Sequence, residues 1–163
     1  MHNFEGFTEI VSVVTDATTV LAVAFDKLGM RVIGDDQHEA DDWIASICRS
    51  TLLHTFPTRP VIIVSGDHDL RQLIEAQVTM RIPTQKLADE GARGYRRYDI
   101  NSFYSEYQFM PHLLTDYKAL AGDPSDDLPG VRGIGQTWAQ RLVAQYGGLD
   151  TLYMYLRDID RPS

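Results

Sequence analysis

Between Thr8 and Leu28 the apolar residues Ile10, Val13, Val14, Ala17, Val20, Leu21, Ala24, Phe25 and Leu28 recur at three- and four-residue steps, with Gly29 after them. That spacing predicts a helix closed by a glycine cap, with Asp26 near its end. Met30 to Ile33 is a short apolar run that predicts a buried strand, and Gly34 to Gln37 predicts a polar loop. From Ala40 to Thr55, the residues Trp43, Ile44, Ile47, Cys48 and Leu52 lie on one stripe of an amphipathic helix. Pro60-Val61-Ile62-Ile63-Val64 is continuously apolar, which predicts a strand covered on both faces in a parallel sheet, and Ser65-Gly66-Asp67 marks its carboxyl end. A helix from Leu70 to Glu75, a strand from Val78 to Ile82, a polar loop from Lys86 to Arg97, and helices over Ile100 to Tyr107 and Pro111 to Leu120 follow. Alternating strands and helices predict an α/β fold, a mostly parallel sheet with flanking helices.

After residue 122 the pattern changes. Gly122-Asp123-Pro124-Ser125-Asp126-Asp127-Leu128-Pro129-Gly130 is rich in turn formers, and Val131-Arg132-Gly133-Ile134-Gly135 leads into a helix over Gln136 to Tyr146. A second helix, Leu149 to Leu156, follows Gly147-Gly148. Two helices joined through a tight Gly-x-Gly turn form a helix–hairpin–helix, so the chain divides into an α/β part over residues 1–110 and a small all-α part over residues 111–163.

The 163 residues can close one hydrophobic core with a small appendage. No apolar run approaches the roughly 20 residues of a membrane span, and the polar start Met1-His2-Asn3 is unlike a secretory leader. A single cysteine, Cys48, excludes an internal disulfide framework and fits a reducing cytoplasm, with the thiol on the apolar helical stripe.

Charge sharpens the picture. A net charge of −8 argues at first against a nucleic-acid binder. However, eight of the 23 acidic residues, Glu39, Asp41, Asp42, Asp67, Asp69, Asp123, Asp126 and Asp127, sit in three short segments, and the remaining 15 equal the 15 lysines and arginines. Carboxylates brought into one cleft repel one another unless a cation neutralises them. Hard oxygen-binding ions such as Mg²⁺ or Mn²⁺ suit that role and favour phosphate substrates. Each segment also has an ordinary explanation: Glu39, Asp41 and Asp42 open a helix, where acids complement the dipole, and the aspartates after glycines suit turns. In open α/β sheets, however, ligands collect beyond the carboxyl ends of strands, where Gly34 to Asp42 and Ser65 to Asp69 are both expected.

The Gly133-Ile134-Gly135 turn lets backbone amides at a helix start approach a DNA phosphate unobstructed by side chains, and Arg132, Thr137 and Arg141 could add phosphate contacts. A plain interhelical turn would use the same glycines.

Taken in order, Glu39-Ala40-Asp41-Asp42, Val64-Ser65-Gly66-Asp67-His68-Asp69-Leu70, and Asp116-Tyr117-Lys118-Ala119-Leu120 through Gly122-Asp123 and Gly130 to Gly133-Ile134-Gly135 closely resemble the structure-specific 5′ nucleases. That family includes the 5′–3′ exonuclease domain of bacterial DNA polymerase I and the flap endonucleases, and the resemblance covers about residues 20 to 153. It implies a PIN-like core and hydrolysis of DNA phosphodiester bonds with two divalent ions, Mg²⁺ or Mn²⁺. Glu39 and Asp41 would serve the first ion with Asp42 behind them, and Asp67, Asp69, Asp123 and Asp126 would serve the second. Asp41, Asp67, Asp69 and Asp123 would be the catalytic acids. The resemblance further implies a K⁺ ion held by the backbone of Val131 and Ile134, and a DNA grip by Arg132, Gly133, Ile134, Gly135, Thr137 and Arg141. The family's opening strands and basic helical clamp have no recognisable counterpart here, so the first ion would keep only part of its ligands. An incomplete sheet would then expose apolar surface for a protein partner or a second copy to cover. Two further readings follow from the same gap: a non-catalytic DNA- or metal-binding module, and one chain of a split nuclease.

Overall fold

The computed structural model describes residues 19–54, 60–84 and 94–159. The chain separates into two compact units, Met1–Trp43 and Ile44–Ser163.

In the first unit a helix, α1, occupies residues 19–27. Gly29, at φ +77°, follows it and releases the chain, and the amide of Met30 bonds back to the carbonyl of Phe25. The predicted turns before residue 19 lie outside the described residues. Met30 to Ile33 is not a strand: it has no regular secondary structure, with Met30, Val32 and Ile33 exposed. Four apolar residues satisfy the pattern of a strand, but a strand forms only where a neighbour accepts its backbone hydrogen bonds. Helix α2, Ala40–His54, opens in this unit with Asp41 and Asp42 in its first turn, where negative side chains meet the positive helix end.

The second unit is built on a three-stranded sheet in the order β1 (Val61–Val64), β2 (Val78–Thr84), β3 (Gly94–Tyr98). β1 and β2 are parallel, with Val61 opposite Val78 and Val64 opposite Arg81. β3 runs antiparallel to β2, with Met80 opposite Tyr98 and Thr84 opposite Gly94. The sheet is therefore mixed, one parallel pair and one antiparallel pair, and the expected loop ends in a strand. Residues 86–93 of that loop lie outside the described residues. Arginines at 96 and 97 conceal the strand, since its anchoring positions are Gly94 and the buried Tyr98, and Arg96 lays its guanidinium over the Tyr98 ring 5.2 Å away.

β1 is also less enclosed than its sequence suggests. Ile63 is buried, but Ile62 and Val64 on the opposite face are 53% and 60% exposed. Among the described residues β1 pairs with β2 alone, so the run is apolar on both faces while the described part of the fold covers one.

The covered face packs Ile63, Val78, Met80 and Tyr98 against Cys48 of α2 and the helices that follow. After β1 the expected helix is one short 3₁₀ segment, Asp69–Leu73. Helix α3, Ile100–Tyr107, starts where the Asp99 side chain accepts the amide of Ser102 at 3.1 Å, and ends at Gln108, which takes a left-handed conformation at φ 61°. Helix α4, Leu114–Ala121, follows a 3₁₀ turn at Pro111–Leu113. Phe103, Tyr107, Phe109 and Tyr117 form an aromatic cluster beneath α3 and α4, with ring centroids 4.5 to 5.7 Å apart. Helices α5, Gln136–Tyr146, and α6, Leu149–Ile159, complete the unit. Gly147, left-handed at φ 72°, ends α5, and the Asp116 carboxylate accepts the Leu149 amide at 2.9 Å, tying α6 to α4. Among the described residues no helix is long and apolar enough to cross a membrane.

Candidate metal centre and helical hairpin

Two loops converge beyond the carboxyl end of β1. The first carries Ser65 to Asp69: the Ser65 hydroxyl accepts the Asp67 amide at 3.0 Å, and Asp67 Oδ1 accepts the Asp69 amide at 2.8 Å. These bonds turn the chain into the 3₁₀ segment and aim the Asp69 side chain. The second runs from Gly122 to Gly130. Asp123 and Leu128 bond each other in both directions at 2.9 Å, closing the loop, and the Val131 amide returns to the Leu120 carbonyl at 2.9 Å. The closure needs glycine: Gly122 and Gly130 have φ of +81° and +65°, and a Cβ at Gly130 would stand 2.4 Å from the Gly122 nitrogen.

This geometry brings Asp69, Asp123 and Asp126 together, with one carboxylate oxygen of each within 4.8 Å of the others. Asp123 is buried, Asp69 half-buried and Asp126 exposed. Asp67 is not part of that group; its Oδ1 accepts the Asp69 amide. In the first unit, Asp42 Oδ2 reaches back to accept the Glu39 amide at 3.2 Å, a helix-start contact, and Asp41 Oδ1 accepts the neighbouring Asp42 amide at 3.0 Å.

A residue the sequence reading did not single out completes the group. Lys118, on α4, donates from Nζ to Asp69 Oδ1 and to Asp123 Oδ2. Asp123 Oδ1 also accepts the Ser125 amide at 3.0 Å and the Ser125 hydroxyl. Lys118 first, and Ser125 after it, hold the Asp123 carboxyl well below the usual carboxylate range. Burial pulls the Lys118 ammonium down, but the hydrogen bonds to Asp123 and Asp69 outweigh it and the net shift is upward. The available clue in the sequence was a lysine a little over one helical turn before a predicted acidic ligand.

The fit to a divalent ion can be judged on these donors. Three hard oxygens converge, and the position between two of them already receives a cationic group. Asp69, Asp123 and Asp126 therefore form a carboxylate cradle suited to a hard cation.

The hairpin follows directly. Gly133 is left-handed at φ +88°, and the Ile134 amide bonds to the Val131 carbonyl at 2.9 Å. Gly135 caps α5 with extended backbone, and open space surrounds both glycines. Arg132, Thr137 and Arg141 are all exposed, and Ile134 packs on the core. Arg141 lies 5.6 Å over the Trp138 ring, itself exposed.

A mixed α/β sheet with acids gathered beyond a strand's carboxyl end, followed by a glycine hairpin between helices, defines an α/β protein with a converging carboxylate group and an appended helical module. Residues 9–108 match the family model described as the 5′-3′ exonuclease N-terminal resolvase-like domain, and residues 109–163 match the 5′-3′ exonuclease C-terminal SAM fold. The chain belongs to the 5′-3′ exonuclease family. It is 39% identical over 127 residues to the 5′-3′ exonuclease of Bacillus subtilis (strain 168), covering 77% of this chain and 40% of that protein. Its fold resembles a bacteriophage T5 5′-exonuclease with divalent zinc bound, at a TM-score of 0.67 and 22% identity, over 95% of this chain and 53% of that one. A bacteriophage T5 flap endonuclease in a pseudo-enzyme-product complex with DNA and metal ions aligns at a TM-score of 0.65 and 22% identity, over 87% and 47% of the two chains. The chain thus spans about half the length of such relatives or less.

Proposed function

We propose that this chain is a 5′–3′ exonuclease or flap-endonuclease-like protein that hydrolyses DNA phosphodiester bonds with divalent metal ions. The observation that carries the reading is the convergence of Asp69 with Asp123 and Asp126, from loops some fifty residues apart, into one group within 4.8 Å. A carboxylate trio of this kind suits a hard cation, and a divalent ion would supply Lewis-acid polarisation of a phosphodiester and a hydroxide-like water near neutral pH. Mg²⁺ or Mn²⁺ fits oxygen donors alone. Asp69, Asp123 and Asp126 would hold one ion, with Asp67 positioning Asp69 and reaching toward the reacting phosphate. Glu39, Asp41 and Asp42 are the ligands the family resemblance assigns to the other ion.

The substrate would be 5′-ended, branched or flapped DNA. Its duplex would be gripped without regard to sequence by the amides of Gly133, Ile134 and Gly135 and by the side chains of Arg132, Thr137 and Arg141. The carbonyls of Val131 and Ile134 would hold a K⁺ ion at the same turn. The organisation proposed for this activity is an α/β nuclease part to residue 110 and a hairpin part from residue 111, working in the cytoplasm. A protein partner or second copy, if one completes the sheet, would meet Ile62 and Val64 of β1.

The test is incubation of the purified chain with a labelled 5′-flap duplex and Mg²⁺ or Mn²⁺, beside Asp67→Ala and Asp126→Ala. Cleavage lost in both variants supports the proposal. Metal-dependent DNA binding without cleavage instead identifies a binding module, and cleavage that appears only with a second polypeptide identifies one chain of a split nuclease.

A further inference from the structure

We infer that Lys118 is a resident countercharge that competes with the divalent ion for Asp69 and Asp123, so that metal binding to this chain is an exchange of an ammonium for an ion. The inference rests on the proposed metal role of the Asp69, Asp123 and Asp126 group and adds a residue that sets its affinity.

The geometry is specific. Lys118 projects from α4 toward the cradle and bonds one oxygen from each of two different loops. Its side chain is 20% exposed, and that of Asp123 10%. Both bonds join full charges in a place partly removed from water, where each is stronger than a surface ion pair. The third acid, Asp126, is not bonded to Lys118.

Two consequences follow from charge. With no metal bound, the ammonium offsets part of the repulsion among the three carboxylates and lets the loops carrying Asp69 and Asp123 stay close. An ion seated among the three carboxylates would draw on Asp69 and Asp123, the two acids whose charge Lys118 already shares, so ion and ammonium compete for them. Lys118 therefore stabilises the metal-free chain and weakens its affinity for the ion. Its flexible four-carbon stem permits the withdrawal without moving α4. A purely structural lysine would act in one direction only: removing it would damage the cradle and lower metal affinity as well.

The experiment measures Mn²⁺ binding by electron paramagnetic resonance, with thermal unfolding in EDTA and in Mn²⁺, on the full chain and on Lys118→Met, Lys118→Gln, Lys118→Arg and Asp123→Asn. Lys118→Met and Lys118→Gln are expected to bind Mn²⁺ about tenfold more tightly, the scale of a lost hydrogen bond to a charged group. Both should melt at lower temperature in EDTA and gain more from Mn²⁺ than the unsubstituted chain. Lys118→Arg, which keeps the charge, should bind Mn²⁺ like the unsubstituted chain. If the unsubstituted chain binds Mn²⁺ and Asp123→Asn does not, yet the folded Met and Gln variants bind it no more tightly, the role of Lys118 is overturned while the metal site stands. If the unsubstituted chain binds no Mn²⁺, or Asp123→Asn binds it equally well, the metal reading and this inference fall together.

Discussion

Arg71 Nη1 lies 2.9 Å from Glu106 Oε1 across 35 residues of sequence, and the arginine is almost wholly buried while the glutamate is about half exposed. The guanidinium also sits 4.7 Å from the centre of the Tyr98 ring, and the Tyr98 hydroxyl donates to Glu106 Oε2 at 2.6 Å. Burial, together with that bond to Glu106, pushes the Tyr98 hydroxyl far above its ordinary pKa and keeps it a donor. Since Arg71 belongs to the same 3₁₀ segment as Asp69, this network fastens one wall of the cradle to α3 and β3.

The asymmetry of burial gives a prediction. Glu106→Ala leaves the buried Arg71 without its carboxylate, with only the Tyr107 hydroxyl and the Tyr98 ring beside it, and is expected to destabilise the chain by about 3 kcal/mol. Arg71→Met leaves only a half-exposed carboxylate, which water can solvate, and should lose about 1 kcal/mol. Urea unfolding of the two variants decides the matter, and a larger loss for Arg71→Met would contradict the burial argument.

Two glycines with similar backbone angles should respond very differently to alanine. Gly130→Ala places a Cβ against the backbone of Ala121 and Gly122 and is expected to cost about 3 kcal/mol or more. Gly133→Ala meets open space and should lose only the left-handed preference, about 1 kcal/mol. Comparing their urea midpoints tests whether the Asp123 loop is closed by backbone contact.

The hairpin can be tested without disturbing the fold. Gly135 has φ −88° and nothing within 4 Å of an added Cβ, so Gly135→Leu should stay within about 1 kcal/mol of the native stability. If the amides at this turn meet a phosphate, affinity for a 5′-flap duplex should fall about tenfold. Fluorescence anisotropy showing equal affinity for both proteins would remove the hairpin from the DNA interface.

Acid should weaken the start of α3 in a definite sense. The Ser102 amide, then its hydroxyl, hold the Asp99 carboxyl below the ordinary range. A depressed carboxylate contributes its stability above the unfolded value of about 3.9 and loses it as pH falls through the lower folded value. Asp99→Ala is therefore expected to cost about 1 kcal/mol at neutral pH, and its difference from the unsubstituted chain should shrink as pH falls below the unfolded carboxylate value and vanish below the lower folded one. Thermal melts across that interval measure it.

Much of this architecture is legible in the sequence because its causes are local. The stripe from Trp43 to Leu52 marks α2, the Gly147-Gly148 pair marks a helix end, and the glycines around Asp123 mark a tight loop. The acids are legible as a set of eight in three short segments, of which the fold brings Asp69, Asp123 and Asp126 together. The missed features have non-local causes. Met30 to Ile33 has the composition of a strand but no partner among the described residues, β3 is specified by the pairing of Tyr98 with Met80, and the exposed face of β1 depends on which elements arrive to cover it.

The order of residues thus determines where helices start and stop and which segments carry carboxylates, because capping, dipole and turn preferences act within a few positions of the chain. Only the folded arrangement decides that Lys118 reaches Asp69 and Asp123 together, that Arg71 is buried against Glu106, and that Asp67 is drawn into a turn rather than into the group. The Lys118–Asp69 and Arg71–Glu106 pairs join segments tens of residues apart, and their energies come from desolvation and charge at close range, which exist only once the core around Tyr98 and Phe103 has closed.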